Sequence, residues 1–128
     1  KGDGSRQIAV FEDPNCGYCK SFRKKKKKVN NVTIHTFVVD ILGPKSTVAA
    51  KQLLCAKDQG AAWDNWMLRQ QLPDNSGACD TSVLDKNKAL AQQLGVTGTP
   101  TIIFENGKRI PGAPDAATLE EMLTASKK

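Results

Sequence analysis

Two cysteines separated by two residues, Cys16-Gly17-Tyr18-Cys19, stand between an apolar strand-like run and a helix-like one. No other feature restricts the fold as strongly. The spacing is chemically useful where a chain turns from strand into helix at the first cysteine. There, unpaired backbone N–H groups and the positive end of the helix dipole point at its sulfur. That setting favours the thiolate, which is the nucleophile of thiol–disulfide exchange. The second cysteine falls within one turn, close enough to close a disulfide with the first or to attack a mixed one.

The flanking pattern supplies the strand and the helix. In Gln7–Glu12, Ile8, Val10 and Glu12 alternate with Ala9 and Phe11, so both faces are apolar, as in a buried strand. Asp13-Pro14-Asn15 is a turn, with Asn15 suited to cap a helix opening at Cys16 and running to about Val29. Val32–Val39 is β-branched and nearly all apolar, the composition of a central strand. Gly43-Pro44 breaks it. Helical stretches follow at about Ser46–Asp58, Ala61–Gln71 and Ser82–Leu94, with a polar loop over Leu72–Thr81 and Gly95 closing the last helix. Thr101–Phe104 and Lys108–Ile110 read as two strands joined at Asn106-Gly107, the pair best suited to a type I′ hairpin. A final helix opens at Asp115 and carries Leu119, Met122 and Leu123. Lys1–Ser5 reads as a frayed terminus or a cut linker.

The length of 128 residues suits one domain with a real core, and 39% of the residues are hydrophobic. No apolar run approaches the roughly 20 residues needed to span a membrane. The chain begins at Lys1 with no leader-like segment, as expected of a mature protein or an excised domain. A net charge of +6 raises the question of nucleic acid, but five of the cations form one run, Lys24–Lys28, and aromatics make up only 5%. The expectation is no nucleic-acid partner. The run sweeps more than one helical turn, so Lys25 or Lys26 must share the inward stripe of Phe22 and Val29 and snorkel. It reads as a solvated face, with an acidic partner or a non-natural stretch as the other readings.

Cys16, Cys19, Cys55 and Cys79 allow three disulfide connectivities. The two-residue spacing favours Cys16–Cys19 with Cys55–Cys79, the second pair stapling a helical segment to its loop; two free buried thiols are the alternative. A distant pair suits an oxidising compartment. Zinc would need two further ligands beside Cys16 and Cys19. Cys55 and Cys79 lack the spacing of a second knuckle, and His35 is the only histidine, so no metal site is expected.

The element order, a CxxC after the first strand and a proline opening the third together resemble the thioredoxin fold. The motifs are more specific than that. Asp13-Pro14-Asn15-Cys16-Gly17-Tyr18-Cys19, then Leu54-Cys55-Ala56-Lys57-Asp58 with Ala62-Trp63-Asp64, then Leu94-Gly95-Val96-Thr97-Gly98-Thr99-Pro100-Thr101 are similar to the catalytic domain of bacterial periplasmic DsbC/DsbG-type thiol:disulfide isomerases. The resemblance covers nearly the whole chain. It implies an α/β, thioredoxin-like architecture: a four-stranded mixed sheet flanked by helices, with a helical insertion over about 44–94. It implies a single catalytic domain over 1–128, without the N-terminal dimerisation domain that the family carries. The chain on its own is then expected to be monomeric, and the full-length protein a homodimer.

The resemblance also assigns roles. Cys16 is the nucleophile and Cys19 the resolving thiol. Gly17 and Tyr18 tune their redox poise. Thr99 precedes a cis Pro100 facing the CxxC, leaving its backbone free to pair with an extended substrate; an ordinary trans proline opening a strand is the alternative. Substrates would be misfolded or cysteine-containing exported proteins, with a membrane thiol reductase as electron donor, a periplasmic location and no dissociable cofactor. A monomeric oxidase or reductase, or a non-enzymatic module holding extended chains, stays open. Many thioredoxins carry a buried carboxylate six positions before the first cysteine. Here that position is Val10, so no such group is expected, and Glu12 and Asp13 read as surface and turn residues. Trp63 and Trp66 read as packing residues rather than a ligand cage.

Overall fold

In a computed structural model describing residues 5–127, the chain forms β1 (Arg6–Glu12), α1 (Gly17–Lys26), β2 (Val32–Val38), α2 (Pro44–Leu54), α3 (Gln59–Arg69), α4 (Ser82–Gln93), β3 (Thr101–Phe104), β4 (Arg109–Pro111) and α5 (Ala116–Ser126). The reading of Lys1–Gly4 lies outside the described residues. The strands make one mixed sheet in the order β2-β1-β3-β4, with β1 parallel to β2 and antiparallel to β3. This is the thioredoxin-like architecture expected, with α2, α3 and α4 inserted between β2 and β3.

Strand β1 is buried on both faces because its side chains alternate between two covered layers. Ile8 and Val10 join Phe22, Val29, Ile102, Phe104, Leu119 and Leu123 under α1 and α5. On the other face, Phe11 packs with Val39 and Ala91 and stacks on Phe37 at a centroid distance of 5.2 Å. A third apolar cluster gathers Cys16 and Cys19 with Val38 of β2 and with Leu53, Trp63, Met67 and Leu84 from the inserted helices.

Several local expectations are corrected. Strand β2 is an edge, not a central strand: β1 has β2 on one side and β3 on the other, so only β1 and β3 are interior. Its β-branched composition favours an extended strand and says nothing about its neighbours. Gly43-Pro44 does not merely break the chain. It opens α2, with Gly43 at φ 113° as cap and Pro44 in the first turn, where its missing N–H costs nothing. Helix α2 stops at Leu54, and Asp58 caps α3 by accepting from the Ala61 amide at 3.0 Å. At the β3–β4 turn only Gly107 is left-handed, at φ 86°, whereas a type I′ turn needs two such residues. Gly107 N–H instead donates to Phe104 C=O and Phe104 N–H to Lys108 C=O, a three-residue loop closed by a glycine bulge.

Helix α1 ends at Lys26, three residues short of the expected Val29. Phe22 and Val29 both point at the sheet, as their spacing requires. Lys25 and Lys26 are half-buried, and the Lys25 ammonium snorkels to the Ala113 carbonyl at 3.4 Å. Cys55 and Cys79 form the expected disulfide.

Candidate active site

The strand-to-helix junction is built by the turn that follows β1. The Cys16 amide donates to the Asp13 carbonyl at 3.1 Å, closing the turn. Cys16 itself, not Asn15, is the cap of α1: its backbone is extended, and its Sγ accepts from the Cys19 amide at 3.2 Å. The first cysteine thus occupies the position where an oxygen-bearing side chain usually serves, and the helix donates an otherwise unpaired N–H to its sulfur. Cys16 is 5% exposed and Cys19 fully buried; both are free thiols. Beside them Tyr18 stands 72% exposed, and a Cβ added at Gly17 would meet nothing within 4 Å. The surface over Cys16 is open on that side.

At the same end of the sheet, where Thr101 of β3 pairs with Phe11 of β1, the segment before β3 meets the thiol. The Thr99–Pro100 bond is cis, and in the thiol form Cys16 Sγ donates to the Thr99 carbonyl at 3.2 Å. Pro100, with no N–H to donate, is buried next to it. All six residues picked out around the thiols, Cys16, Gly17, Tyr18, Cys19, Thr99 and Pro100, therefore belong to one surface region, while Cys55 and Cys79 lie apart in the insertion. A groove of about 680 Å³ opens elsewhere, between β2 and α3, and Cys16 does not line it.

The two thiols are electrostatically opposite. Cys16 is lowered to about 6, chiefly because the Cys19 thiol donates a hydrogen bond to its thiolate. The Thr99 side chain and the amides of Cys19 and Tyr18 add to this, against the cost of burial. Cys19 is driven far above an ordinary thiol, first by burial, then by the hydrogen bond it gives to Cys16 and by the negative charges of Cys16 and Glu12. The Asp13 backbone amide works the other way. At neutral pH such a pair holds one thiolate and one thiol, the division that nucleophilic attack followed by resolution requires.

Glu12 and Asp13 are both fully buried, which corrects their reading as surface residues, while Asp13 does open the turn that its carbonyl closes. Asp13 bolts three segments together. Its Oδ1 accepts from the Asn15 amide at 2.8 Å and the Ser46 hydroxyl at 2.6 Å, and its Oδ2 from the Leu42 amide at 3.0 Å. The CxxC turn is thereby fixed to the β2–α2 loop and to the start of α2. Glu12 is in phase with Ile8 and Val10, so it points under α1, where Arg23 meets it through two hydrogen bonds. A buried carboxylate is present after all, two residues nearer the cysteines than the position considered. The alternation of β1 was the signal that could have found it. Trp63 is buried, with Nε1 directed at Glu12, and Trp66 donates to the Pro14 carbonyl while Lys20 sits 4.9 Å over its ring. Both are packing residues, as expected, but each also braces the active-site turn.

Comparison with known proteins gives the family. The model of the thioredoxin-like domain family matches residues 1–127. The chain belongs to the thioredoxin-like domain family. Among curated members it is 46% identical over 123 residues to a probable thiol:disulfide interchange protein DsbC of Bordetella pertussis, covering 96% of this chain and 43% of that one. It is 32% identical over 125 residues to the DsbC of Escherichia coli (strain K12), covering 94% and 52%. The chain thus spans about half the length of the curated relatives it matches. A crystal structure of a disulfide interchange protein from Neisseria gonorrhoeae superposes with a TM-score of 0.92 at 33% identity, covering 100% of this chain and 92% of that one. This thioredoxin-like chain is therefore similar to thiol:disulfide interchange proteins along its whole length.

Proposed function

We propose that this thioredoxin-like chain is the catalytic domain of a thiol:disulfide oxidoreductase and isomerase, acting through Cys16 and Cys19 on cysteine-containing proteins. The observation that carries the reading is Cys16 capping α1 with its thiolate favoured, beside a buried, disfavoured Cys19. The names of the relatives support interchange as the reaction class.

The Cys16 thiolate attacks one sulfur of a substrate disulfide. A Cys16–substrate disulfide forms, and the other substrate sulfur leaves as a thiolate that takes up a proton. Two outcomes follow. Cys19 loses its proton and attacks Cys16, closing the Cys16–Cys19 disulfide and leaving the substrate reduced by two electrons. Alternatively a substrate thiolate attacks the mixed disulfide, regenerating the Cys16 thiolate and a rearranged substrate with no net electron transfer. An extended substrate would lie along Thr99–Pro100, with Tyr18 and Gly17 shaping the surface above the sulfur.

The Cys55–Cys79 disulfide supports an oxidising compartment, the bacterial periplasm. There a membrane thiol reductase would return Cys16–Cys19 to the dithiol. The 128 residues act as one monomeric catalytic unit, and the longer protein dimerises through a domain of its own. Insulin reduction and reactivation of scrambled ribonuclease, each with Cys16→Ser as control, test the reading. Both activities are expected to vanish in the variant. Neither activity in the parent chain, with binding of an unfolded chain unchanged in Cys16→Ser, would instead support a non-enzymatic module that holds extended chains. Insulin reduction without ribonuclease reactivation would mark a reductase.

A further inference from the structure

The buried pair Glu12–Arg23 has no part in the reaction as written, yet it lies one helical turn behind Cys19. Cys19 and Arg23 are four residues apart on α1, on the same inward face, and both are buried. Arg23 reaches down to Glu12, Nε to Oε1 at 3.1 Å and a terminal nitrogen to Oε2 at 2.5 Å. Thr36 donates its hydroxyl to Oε2 at 3.2 Å, and Trp63 directs Nε1 at Oε1 from 3.4 Å. Trp63 belongs to the same apolar cluster as Cys16 and Cys19. Asp64 also faces the pair, with its Oδ1 3.5 Å from Arg23.

The count of donors matters. A carboxylate offers about four lone-pair sites. Glu12 has four donors on it: two from Arg23, one from Thr36 and one from Trp63. No site remains to accept a proton from Cys19. A carboxylate in this state does not act as a base. It acts as a fixed negative charge, and a negative charge in a partly desolvated site opposes formation of a second one nearby.

We propose that Glu12, held by Arg23, is a positioning residue that keeps Cys19 in its thiol form, prolongs the Cys16–substrate disulfide and so favours rearrangement over net reduction. This rests on Cys16 and Cys19 being the nucleophile and the resolving thiol. The electrostatic effect of Glu12 on Cys19 described above has the required sign. The competition is kinetic. Escape of the substrate needs the Cys19 thiolate, whereas rearrangement needs only a substrate thiolate and time.

The test measures how fast Cys19 resolves the mixed disulfide between Cys16 and glutathione, by the release of glutathione from the 128-residue chain at neutral pH. Glu12→Gln is expected to release glutathione several-fold faster, as removal of one buried negative charge near a forming thiolate requires. Because that variant leaves Arg23 buried and unpaired, Glu12→Gln/Arg23→Met provides a charge-free pair of similar volume. It is expected to release faster than the parent chain by a smaller factor. In a Cys16→Ser background, the pH at which Cys19 begins to alkylate should move down in both variants, a shift that a merely structural role would not produce. Release that is slower, as a base would require, or unchanged in the double variant overturns the proposal. Failure of the parent chain to form a mixed disulfide at Cys16 would instead overturn the interchange reading itself.

Discussion

The molecule carries two cysteine pairs that differ in almost every physical respect. Cys16 and Cys19 sit within one turn of α1, buried against the sheet and the inserted helices, and are not joined to each other. Cys55 and Cys79 are 24 residues apart, at the end of α2 and in the polar loop before α4, and are joined; Cys79 is exposed. Around the first pair the chain has assembled a polar frame: an N-terminal helix amide, Thr99, and the buried carboxylates Asp13 and Glu12. Around the second, neutral amide hydrogen bonds tie the loop to α2: Gln52 and Asn75 exchange two, and the Cys79 amide donates to Cys55 Sγ at 3.3 Å. The difference teaches that the cysteine side chain does not decide between reactivity and stapling. Its surroundings do, by setting how unequal the two sulfurs of a pair become.

The largest expected effect separates the two members of the reactive pair. In the reduced protein, iodoacetamide at pH 6 should label Cys16 more than about 100-fold faster than Cys19, because a thiol of ordinary pKa near 8.5 is almost wholly protonated there. The rate at Cys16 should rise with pH and reach half its maximum near 6, where the lowered thiol ionises. Equal labelling would erase the asymmetry on which the comparison stands. Next in size, Cys55→Ala/Cys79→Ala should lower stability by about 3 kcal/mol in urea, as a bridge closing a loop of that length does. The pH profile of Cys16 labelling should stay where it was. A shifted profile would mean that the two pairs are not independent. The smallest effect sharpens the picture of the frame. Thr99→Val removes one hydrogen-bonding side chain while keeping shape, so thiolate absorbance should show Cys16 ionising at a higher pH than in the parent, worth about 1 kcal/mol or less. A downward shift would remove Thr99 from the groups that stabilise the thiolate.

Much of the fold was legible in the chain because its signals are local. The CxxC spacing, the alternation of β1 and Gly95 at the end of α4 each involve residues within a turn or two, and each was found where the pattern put it. The cap lies one position beyond the residue that type alone suggests. Asn15 has the better capping chemistry by type, but the turn closed by Asp13 delivers Cys16, not Asn15, to the helix end. Strand β2 lies at the edge: a β-branched run favours a strand without fixing its hydrogen-bonded neighbours.

By itself, the sequence determined that this chain turns from a buried strand into a helix at Cys16, that Cys19 follows within one turn, and that Gly98-Thr99-Pro100 waits far downstream. Those are matters of spacing and backbone preference, which a short segment expresses alone. Tertiary structure decided how the two sulfurs differ. Glu12 takes its partners from 11, 24 and 51 residues away, at Arg23, Thr36 and Trp63, and Asp13 takes Leu42 and Ser46 from 29 and 33. Whether a carboxylate is a solvated surface group or a buried charge depends on those distant partners. Electrostatic interactions grow strong only where folding has excluded water, so the reactivity of Cys16 and the reluctance of Cys19 are properties of the assembled site.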